Sequence, residues 1–311
     1  MMEDNVRCNS LKAWFLATRP KTLTAAMVPV ALACAMAYAY GSFRWFPALT
    51  CAVFAGLMQI ASNLINDLYD FLKGADREDR LGPKRATAQG WITPRAMRMG
   101  IVLVVLLACV TGCLLVSQAG WWLVAVGAAC VLFAFLYTLV LSYWGFGDLL
   151  VLVFFGLVPV VATFYLQTSF VCLPVVISAV ACGLVIDTLL VLNNYRDREA
   201  DAISGKHTVV VLFGELFGKW LYLLLGFVAC ALASSLFVFG RYAAAFMPLL
   251  YLLPHLQTWR MMVRINKGRE LNSVLGQTSR NIAFFGILFA IGCLLGEILR
   301  WQRKRTKFSV L

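Results

Sequence analysis

Charged side chains are scarce in this sequence. Only 14% of its 311 residues are Asp, Glu, Lys or Arg, whereas about a quarter is usual in soluble domains. This shortage excludes an ordinary water-soluble globule, and the many aromatic and β-branched residues exclude a disordered chain. The sequence is instead 61% hydrophobic with a mean hydropathy of +0.81, which predicts an integral membrane protein.

Paired cysteine motifs are also missing. Ten cysteines are present, but none forms a C-x-x-C pair, and all except Cys8 lie in apolar runs. Cys109 and Cys113 are four residues apart within one such run. We therefore expect free thiols that pack as small apolar side chains, without a redox or metal framework. The N-terminal segment has no short apolar core of the kind found in signal peptides, so a cleaved signal is not expected.

Long apolar runs determine the predicted fold. A helix needs about 20 mostly apolar residues to span a bilayer, and the connections between several such runs are too short to hold a soluble domain. The sequence predicts an all-α, polytopic transmembrane helical bundle. We expect a single membrane domain over 1–311, with flexible termini at 1–13 and 301–311. The nine predicted spans are 22–41, 46–66, 99–117, 121–140, 149–167, 170–192, 220–238, 241–257 and 281–298.

The basic residues predict an orientation. The net charge is +12, and the Lys and Arg residues lie between apolar runs, which is typical of loops that face lipid headgroups rather than of nucleic-acid binders. Twenty of the 27 basic residues fall on the side that holds the N-terminus. The positive-inside rule places that side in the cytoplasm. The basic tail after residue 300 falls on the opposite side. We expect a multi-pass protein of the cell (inner) membrane.

Acidic residues are fewer still, and most of them lie in two of the predicted cytoplasmic loops. Nine of the fifteen fall in 67–79 and 197–215, and each loop follows a predicted membrane helix. The first loop contains Asp67, Asp70, Asp76, Glu78 and Asp79, and the second contains Asp197, Glu199, Asp201 and Glu215.

Helical spacing places some of these acids beside asparagines. Residues three, four or seven positions apart share one face of a helix. Two sets meet this condition: Asn63, Asn66, Asp67 and Asp70 in the first loop, and Asn193, Asp197 and Asp201 in the second. Both segments continue into a Gly and basic residues. This common plan suggests a pseudo-repeat of two helical hairpins whose polar ends meet.

The composition of the two loops predicts a Mg²⁺–diphosphate site. Carboxylates on one helix face repel each other, and a bound hard cation removes that penalty. Asp and Asn oxygens suit Mg²⁺, usually together with substrate phosphates. The interleaved candidate phosphate ligands are Lys73, Arg77, Arg80, Lys84, Arg85, Arg196, Arg198 and Lys206. Ordinary solvated loops are the alternative, and that interpretation is favoured for Glu78, Asp79, Glu199 and Glu215.

The two motifs resemble those of a known family. The segments NDLYDFLKGAD and NNYRDREADAISGKHT are similar to the Asp-rich motifs of the UbiA-type membrane prenyltransferases. The branch that prenylates 1,4-dihydroxy-2-naphthoate in menaquinone synthesis is the most similar. The features shared with that branch are the spacing from Asp70 to Asp76 and the segments GPKRATAQGWI, RPKTLTAAMVPV and FFGLVPVVATFYLQT. The resemblance extends from about Trp14 to Ile298.

This resemblance implies Mg²⁺-dependent transfer of a polyprenyl group from its diphosphate to an aromatic acid, with loss of CO₂ and formation of demethylmenaquinone. The expected Mg²⁺ ligands are Asn66, Asp67, Asp70, Asp76, Asn194, Asp197 and Asp201, among which the aspartates 67, 70, 197 and 201 are expected to be catalytic. The expected diphosphate ligands are Lys73, Arg85, Arg196, Lys206 and Arg19. For Arg19, contact with a lipid headgroup is the alternative.

A third group of residues is expected at the acceptor and the prenyl chain. Asp187 lies seven residues before Asn194 on the same helix face, and an acid inside a membrane span is a functional candidate by default. It would orient or deprotonate a phenolic acceptor, or else make a structural hydrogen bond. The other candidates for acceptor or prenyl binding are Asn63, Tyr69, Tyr137 and Asp148. Further ring faces for an allylic cation would come from Tyr143, Phe154 and Phe155, with ordinary core packing as the alternative.

Two other functions stay open at this stage. A sister enzyme that uses 4-hydroxybenzoate or homogentisate would carry the same motifs, because these mainly bind the diphosphate. A cation transporter could also use Asp clusters. Transport, however, favours intramembrane acids along a pathway, whereas the acids of the two motifs lie at one membrane face beside basic residues. The expected partners are therefore a polyprenyl diphosphate, an aromatic acid and the lipid bilayer, and not nucleic acid.

Overall fold

The computed structural model describes residues 6–74 and 80–308, with side chains described as far as residue 296. In these ranges the chain forms twelve α-helices and no β-strand, which confirms the predicted all-α fold. The helices are α1 (Leu11–Ala17), α2 (Leu23–Ala39), α3 (Trp45–Leu72), α4 (Pro94–Ala119), α5 (Trp122–Leu136), α6 (Gly147–Val151), α7 (Val158–Thr168), α8 (Leu173–Ile203), α9 (Val209–Ser234), α10 (Tyr242–Phe246), α11 (Leu252–Ile265) and α12 (Leu271–Phe308).

Short turns of tighter or wider helical geometry join several of these helices. The tighter 3₁₀ turns are Pro20–Thr22, Ser235–Phe239 and Met247–Tyr251, and the wider π-helical turns are Tyr137–Leu141 and Leu152–Leu157. A π turn is rare and often marks a functional site, because it leaves the regular ladder of backbone hydrogen bonds. Both π turns lie in mid-chain, between α5 and α7.

Eight helical segments in the described part of the chain are long and apolar enough to cross a membrane. They correspond to eight of the nine predicted spans. The remaining span, 241–257, is divided among α10, the turn Met247–Tyr251 and α11. Pro248 lies in that turn and has no backbone N–H to continue an α-helix. That this ninth segment spans the membrane stays a prediction. That residues 1–311 form one domain also stays a prediction.

Helix α4 shows how the bundle presents apolar side chains on its outside. Its buried residues recur at helical spacing and are Met97, Ile101, Ala108, Thr111 and Leu115. Large apolar side chains on the other faces are exposed, among them Leu103, Leu106 and Val110. A continuous exposed surface of this kind suits contact with lipid and would be unfavourable in water.

Helix α8 lies at the centre of the packing and carries the second Asp-rich motif at its end. It contacts α2, α9, α12 and the π turn Leu152–Leu157. The core between these helices contains many fully buried small side chains, including Ala33, Ala37, Ala179, Ala229 and Ala233. Small residues allow helix backbones to approach closely, which is how membrane helices gain packing energy.

The two motif loops have the same local plan. Each begins at the C-terminal end of a long helix, α3 or α8, and each ends at a capped helix. Thr93 accepts a hydrogen bond from the backbone N–H of Ala96 at 3.3 Å, and Thr208 accepts one from Val211 at 3.3 Å. Hydroxyl groups at these positions satisfy backbone donors that a helix start leaves unpaired.

Candidate functional site

The first motif is held against the loop that follows it. Asp67 is 1% exposed, and its two carboxylate oxygens accept hydrogen bonds from the backbone N–H groups of Ala86 (2.9 Å) and Thr87 (2.8 Å). One helical turn later, Asp70 forms a buried ion pair with Arg85 at 2.5 Å. The same short segment therefore meets both aspartates, the first through its backbone and the second through a side chain.

The π turn Tyr137–Leu141 contributes to the same site. Thr138 donates a hydrogen bond from its hydroxyl to the side-chain oxygen of Asn66. Lys73 donates from Nζ to the carbonyl oxygens of Thr138 (3.1 Å) and Leu139 (2.7 Å). The wider turn leaves these carbonyls available, so the π geometry supplies part of the binding surface for a lysine of the motif.

The second motif also pairs its carboxylates with cations. Arg196 donates two hydrogen bonds to Asp197, at 2.8 and 2.6 Å, and a third to Asn272 on α12 at 2.8 Å. Lys206 lies 3.6 Å from the carboxylate of Asp201. Like the pair of Asp70 and Arg85, these contacts place a positive group directly beside each acid.

The two motifs meet at the ring of Tyr143. The Nζ atom of Lys73 lies 4.4 Å from the ring centroid, and that of Lys206 lies 5.4 Å from it. Burial lowers the pKa of Lys73, an effect that the nearby Asp70 partly opposes and Lys206 reinforces. Burial also raises the pKa of the Tyr143 hydroxyl. Lysines separated by more than 130 positions in the sequence therefore converge on one aromatic face.

A large apolar cavity opens beside this polar cluster. Its volume is about 310 Å³. Apolar and aromatic side chains line most of it, among them Phe133, Phe154 and Phe155. The polar residues in its wall include Gln59, Asn63, Asn66, Tyr137 and Asn193. The cavity can hold an apolar chain whose polar end lies at the Asn/Asp motifs.

A second, small cavity of about 50 Å³ lies next to the second motif. Its wall includes Tyr137, Asp148, Asn194, Asp201 and Lys206. Tyr137 borders both cavities and therefore lies between the apolar chamber and the charged cluster.

Two acids near this point have unsatisfied oxygens. One carboxylate oxygen of Asp148 and one of Asp187 are buried without a hydrogen-bond partner in the described part of the chain. The two carboxylates are near enough to interact electrostatically. Asp148 borders the small cavity, whereas Asp187 is absent from the described residues that line either cavity.

Two other predicted binding residues, Asn63 and Tyr69, lie at different distances from the cavities. Asn63 donates hydrogen bonds to the carbonyl oxygen of Thr18 and the hydroxyl of Thr22, both at 2.9 Å. It therefore ties α3 to the N-terminal segment from its position in the cavity wall. Tyr69 packs edge-on against Phe135 and is not among the described residues that line either cavity.

Arg19 and Asp76 complete the predicted set. Arg19 is half-buried and directly precedes the turn Pro20–Thr22 in a left-handed backbone conformation, with φ of 50°. The predicted metal ligand Asp76 lies outside the described residues.

Sequence reasoning missed several residues of this site. Thr138 and Asn272 contact the motifs from distant helices, and nothing in their local sequence indicates it. In the segment GPKRATAQGWI the sequence indicated only the cations Lys84 and Arg85, and not the backbone amides of Ala86 and Thr87 that contact Asp67. Gln59 lies four residues before Asn63 on the same helix face, so its spacing was the one signal that could have identified it.

The oxygen atoms available at this site suit a Mg²⁺ ion that arrives bound to a diphosphate better than an ion held by the protein alone. In the described residues no three His, Cys, Asp or Glu side chains cluster closely enough to hold a metal. The available oxygens are asparagine amides and the single carboxylates of Asp70, Asp197 and Asp201, each of which lies beside a cation. Mg²⁺ typically takes one or two protein carboxylates together with water and substrate phosphates, and the cations here match those phosphates.

Comparison with known proteins identifies relatives of this chain. The model of the UbiA prenyltransferase family matches residues 26–275. The 1,4-dihydroxy-2-naphthoate octaprenyltransferase of Escherichia coli (strain K12) is 33% identical over 301 residues, which cover 92% of this chain and 96% of that protein. The enzyme of the same name from Mycobacterium tuberculosis is 36% identical over 216 residues, covering 68% and 74%.

Solved structures have the same helical fold. A UbiA homolog from Aeropyrum pernix K1 has a TM-score of 0.66 at 16% sequence identity, with 86% of this chain and 97% of that chain covered. A UbiA homolog from Archaeoglobus fulgidus, solved with DMAPP and Mg²⁺, has a TM-score of 0.60 at 15% identity, with 89% and 99% covered.

Proposed function

This chain belongs to the UbiA prenyltransferase family, and from that premise we propose that it transfers a polyprenyl group from a polyprenyl diphosphate to 1,4-dihydroxy-2-naphthoate. As a family member it is an integral membrane prenyltransferase. The proposed acceptor is the one named for several curated relatives. The observation that supports the proposal best is the meeting of two Asn/Asp motifs and their cations beside a large apolar cavity.

The diphosphate is assigned to the cations that surround this meeting point. Lys73 and Lys206 lie over the Tyr143 ring, while Arg85 and Arg196 lie beside carboxylates of the two motifs. Each can donate charge-assisted hydrogen bonds to phosphate oxygens, and the arginines can do so with two parallel bonds. Arg19 is a further candidate for the same group.

The proposed ligands of Mg²⁺ are the acids and amides of the two motifs, namely Asn66, Asp70, Asn194, Asp197 and Asp201, together with Asp76. When bound, the ion would neutralise negative charge on the leaving diphosphate. The homolog from Archaeoglobus fulgidus was solved with both DMAPP and Mg²⁺, which supports this choice of metal. Asp67 differs from the other acids because backbone amides occupy both of its oxygens.

The proposed reaction replaces a carboxylate by a prenyl group on the aromatic ring. The bond between the prenyl C1 and the diphosphate oxygen breaks, and C1 bonds to the ring carbon that bears the carboxylate. The electron pair of the bond to the carboxylate carbon returns to the ring, and CO₂ leaves. The product of this step is the prenylated hydroquinone, so the transfer itself needs no oxidant, and demethylmenaquinone would form only by a separate two-electron oxidation. Phe133, Phe154 and Phe155 would keep water from the allylic cation and offer it their ring faces. Asp148, Tyr137 and Asn63 are proposed to orient the acceptor, and Asp187 to support Asp148.

We assign the site to the cytoplasmic face of the cell membrane. The loops after α3 and α8 both belong to the side that carries 20 of the 27 basic residues. A phosphorylated substrate made in the cytoplasm would reach them directly, while its apolar chain stays within the bilayer.

The test uses purified full-length protein in lipid nanodiscs with Mg²⁺, a polyprenyl diphosphate and three acceptors. These are 1,4-dihydroxy-2-naphthoate labelled at its carboxyl carbon, 4-hydroxybenzoate and homogentisate. We expect prenylation of the naphthoate with release of labelled CO₂, and complete loss of transfer when EDTA removes the metal. Prenylation of only one of the other acids would contradict the acceptor assignment, and transfer in EDTA would contradict the metal assignment.

Matched variants test the residue assignments. We expect Asp70→Asn and Asp197→Asn to lower turnover at limiting Mg²⁺ by about a hundredfold or more, because each removes a charge that faces the metal. Glu199 is exposed and pairs only weakly with Lys267, at 3.4 Å, so Glu199→Gln should leave turnover unchanged. Near-normal turnover in either Asp variant would contradict the role given to that residue.

A further inference from the structure

We propose that Asp67 is a positioning residue for diphosphate binding rather than a metal ligand. It would hold the segment 80–92, named here the strap, so that Arg85 faces the reacting diphosphate. This inference rests on the proposed function for its substrate, but its structural part can be tested separately.

The surroundings of Asp67 leave no place for a metal. Both carboxylate oxygens accept backbone N–H groups, from Ala86 at 2.9 Å and Thr87 at 2.8 Å. The residue as a whole is 1% exposed. Mg²⁺ retains several water molecules when it binds to proteins. Asp70 is buried as well, but its partner is an arginine side chain, whereas both oxygens of Asp67 are held by backbone amides that cannot turn away to admit such an ion. A carboxylate that accepts two backbone amides instead fixes the chain that carries them.

The strap is anchored through its own hydrogen bonds as well. The backbone N–H groups of Trp91 and Ile92 both donate to the carbonyl oxygen of Ala86, at 2.8 and 3.2 Å. Ala86, Thr87 and Ile92 are all buried. The residue that Asp67 holds is therefore also the centre of a compact turn, and movement at Ala86 would move the whole turn.

The strap also connects the two motifs. Next to Ala86, Arg85 forms the ion pair with Asp70 at 2.5 Å. Four residues before Arg85, the carbonyl oxygen of Leu81 accepts a hydrogen bond from Asn272 at 2.8 Å, and Asn272 in turn accepts one from Arg196. The middle of the strap thus places a cation at the first motif, and its beginning supports a cation of the second.

This arrangement gives the two neighbouring acids of the first motif different tasks. Asp67 and Asp70 are three residues apart on one face of α3, and they contact the backbone and the side chain of the same segment. Asp67 fixes the position of the strap, and Asp70 forms its ion pair with Arg85 of that strap. Loss of Asp67 should therefore weaken diphosphate binding through Arg85.

The first experiment measures backbone hydrogen exchange by mass spectrometry in the full-length protein, without substrate, in wild type and in Asp67→Asn. The amide of Asn can no longer accept both N–H groups, so we expect exchange in 85–92 to rise by about ten- to a hundredfold. Unchanged exchange there would overturn the proposal. This readout needs no turnover, so it stands even if the proposed reaction fails.

The second experiment separates positioning from metal binding and from general destabilisation. We expect Asp67→Asn to raise the KM for polyprenyl diphosphate about tenfold, with no change in the KM for the acceptor or in the Mg²⁺ dependence. In an Arg85→Ala background the same substitution should add little, because the two residues act in series. Additive effects, or recovery of Asp67→Asn activity by raised Mg²⁺ or Mn²⁺, would overturn the proposal.

A third measurement covers the case in which Asp67→Asn does not fold. Wild-type protein is titrated with Mg²⁺ and inorganic pyrophosphate while exchange in 85–92 is followed. We expect protection of these amides to persist or increase, because the strap keeps its contact with Asp67 as the site fills. A loss of protection would mean that Asp67 leaves the amides for the metal, and would overturn the proposal.

Discussion

At the scale of single residues, the acidic and basic side chains of the site lie in direct contact with each other. Asp70 and Arg85 pair at 2.5 Å and Asp197 and Arg196 at 2.6 Å. A buried charge is costly unless an opposite charge and hydrogen bonds accompany it. The proposed Mg²⁺–diphosphate carries both signs, so it would take over both partners of such a pair, the acid through the metal and the base through the phosphate. Until it binds, each pair would compensate the charge of its own acid and base.

Lys73 gives a prediction about pH. Burial lowers its pKa, so it loses its proton at a lower pH than an ordinary lysine does. If its charge binds the diphosphate, kcat/KM for polyprenyl diphosphate should fall early on the alkaline side. Arginine keeps its charge throughout this range, so Lys73→Arg should move that alkaline limb to higher pH. The pH profile of kcat/KM is the measurement.

The exposed Lys267 serves as the matched control for this prediction. It lies on the loop between α11 and α12, where its contact is with Glu199, and Lys267→Arg should leave the profile unchanged. Coincident profiles for wild type and Lys73→Arg would show that another group sets the alkaline limb.

At the scale of secondary-structure elements, close contact between helices determines the shape of the site. The π turn Leu152–Leu157 packs backbone against backbone on α8 at Gly156 and Gly183. A Cβ atom at Gly156 would lie 2.7 Å from the carbonyl oxygen of Ala179 and 2.8 Å from the Cα of Gly183. Real side chains do not approach so closely, so any larger residue must push the two elements apart.

We therefore expect Gly156→Ala to lower stability. Overpacking of a tight interface costs about 1–3 kcal/mol, which should appear as a lower Tm in detergent. Gly276 is the control, because a Cβ atom there meets nothing within 4 Å. Gly276→Ala should be neutral or stabilising by up to about 1 kcal/mol, since Ala favours helix. Equal Tm values for Gly156→Ala and wild type would contradict the close packing.

The two motif-bearing helices were partly predictable at this scale. Helices α3 and α8 follow from their apolar runs, and the placement of Asn63, Asn66, Asp67 and Asp70 on one face follows from helical periodicity. The π turns could not be predicted, because no local sequence pattern distinguishes them from regular α-helix. The turn Leu152–Leu157 also packs closely on Gly183, which lies on another helix.

The distribution of basic residues predicts an orientation for the whole molecule. The N-terminal segment, with the exposed Cys8, should face the cytoplasm. A membrane-impermeant maleimide should therefore label Cys8 in inverted vesicles and not in intact cells. The variant Cys8→Ser identifies the signal, because the other cysteines lie in or next to apolar helices. Labelling of Cys8 in intact cells would reverse the orientation and place both motifs outside.

The sequence alone determined the class of this protein, its long apolar helices and the residue types of its proposed site. Hydropathy and helical periodicity are local properties, so membrane helices and their polar faces can be read directly from the residue order. Only the tertiary structure decided which group each residue meets. Asp67 accepts hydrogen bonds from backbone N–H groups 19 and 20 positions away, and Lys73 and Lys206 both lie over the ring of Tyr143. Those contacts depend on the path of the strap and on helix packing, which arise from many distant residues acting together.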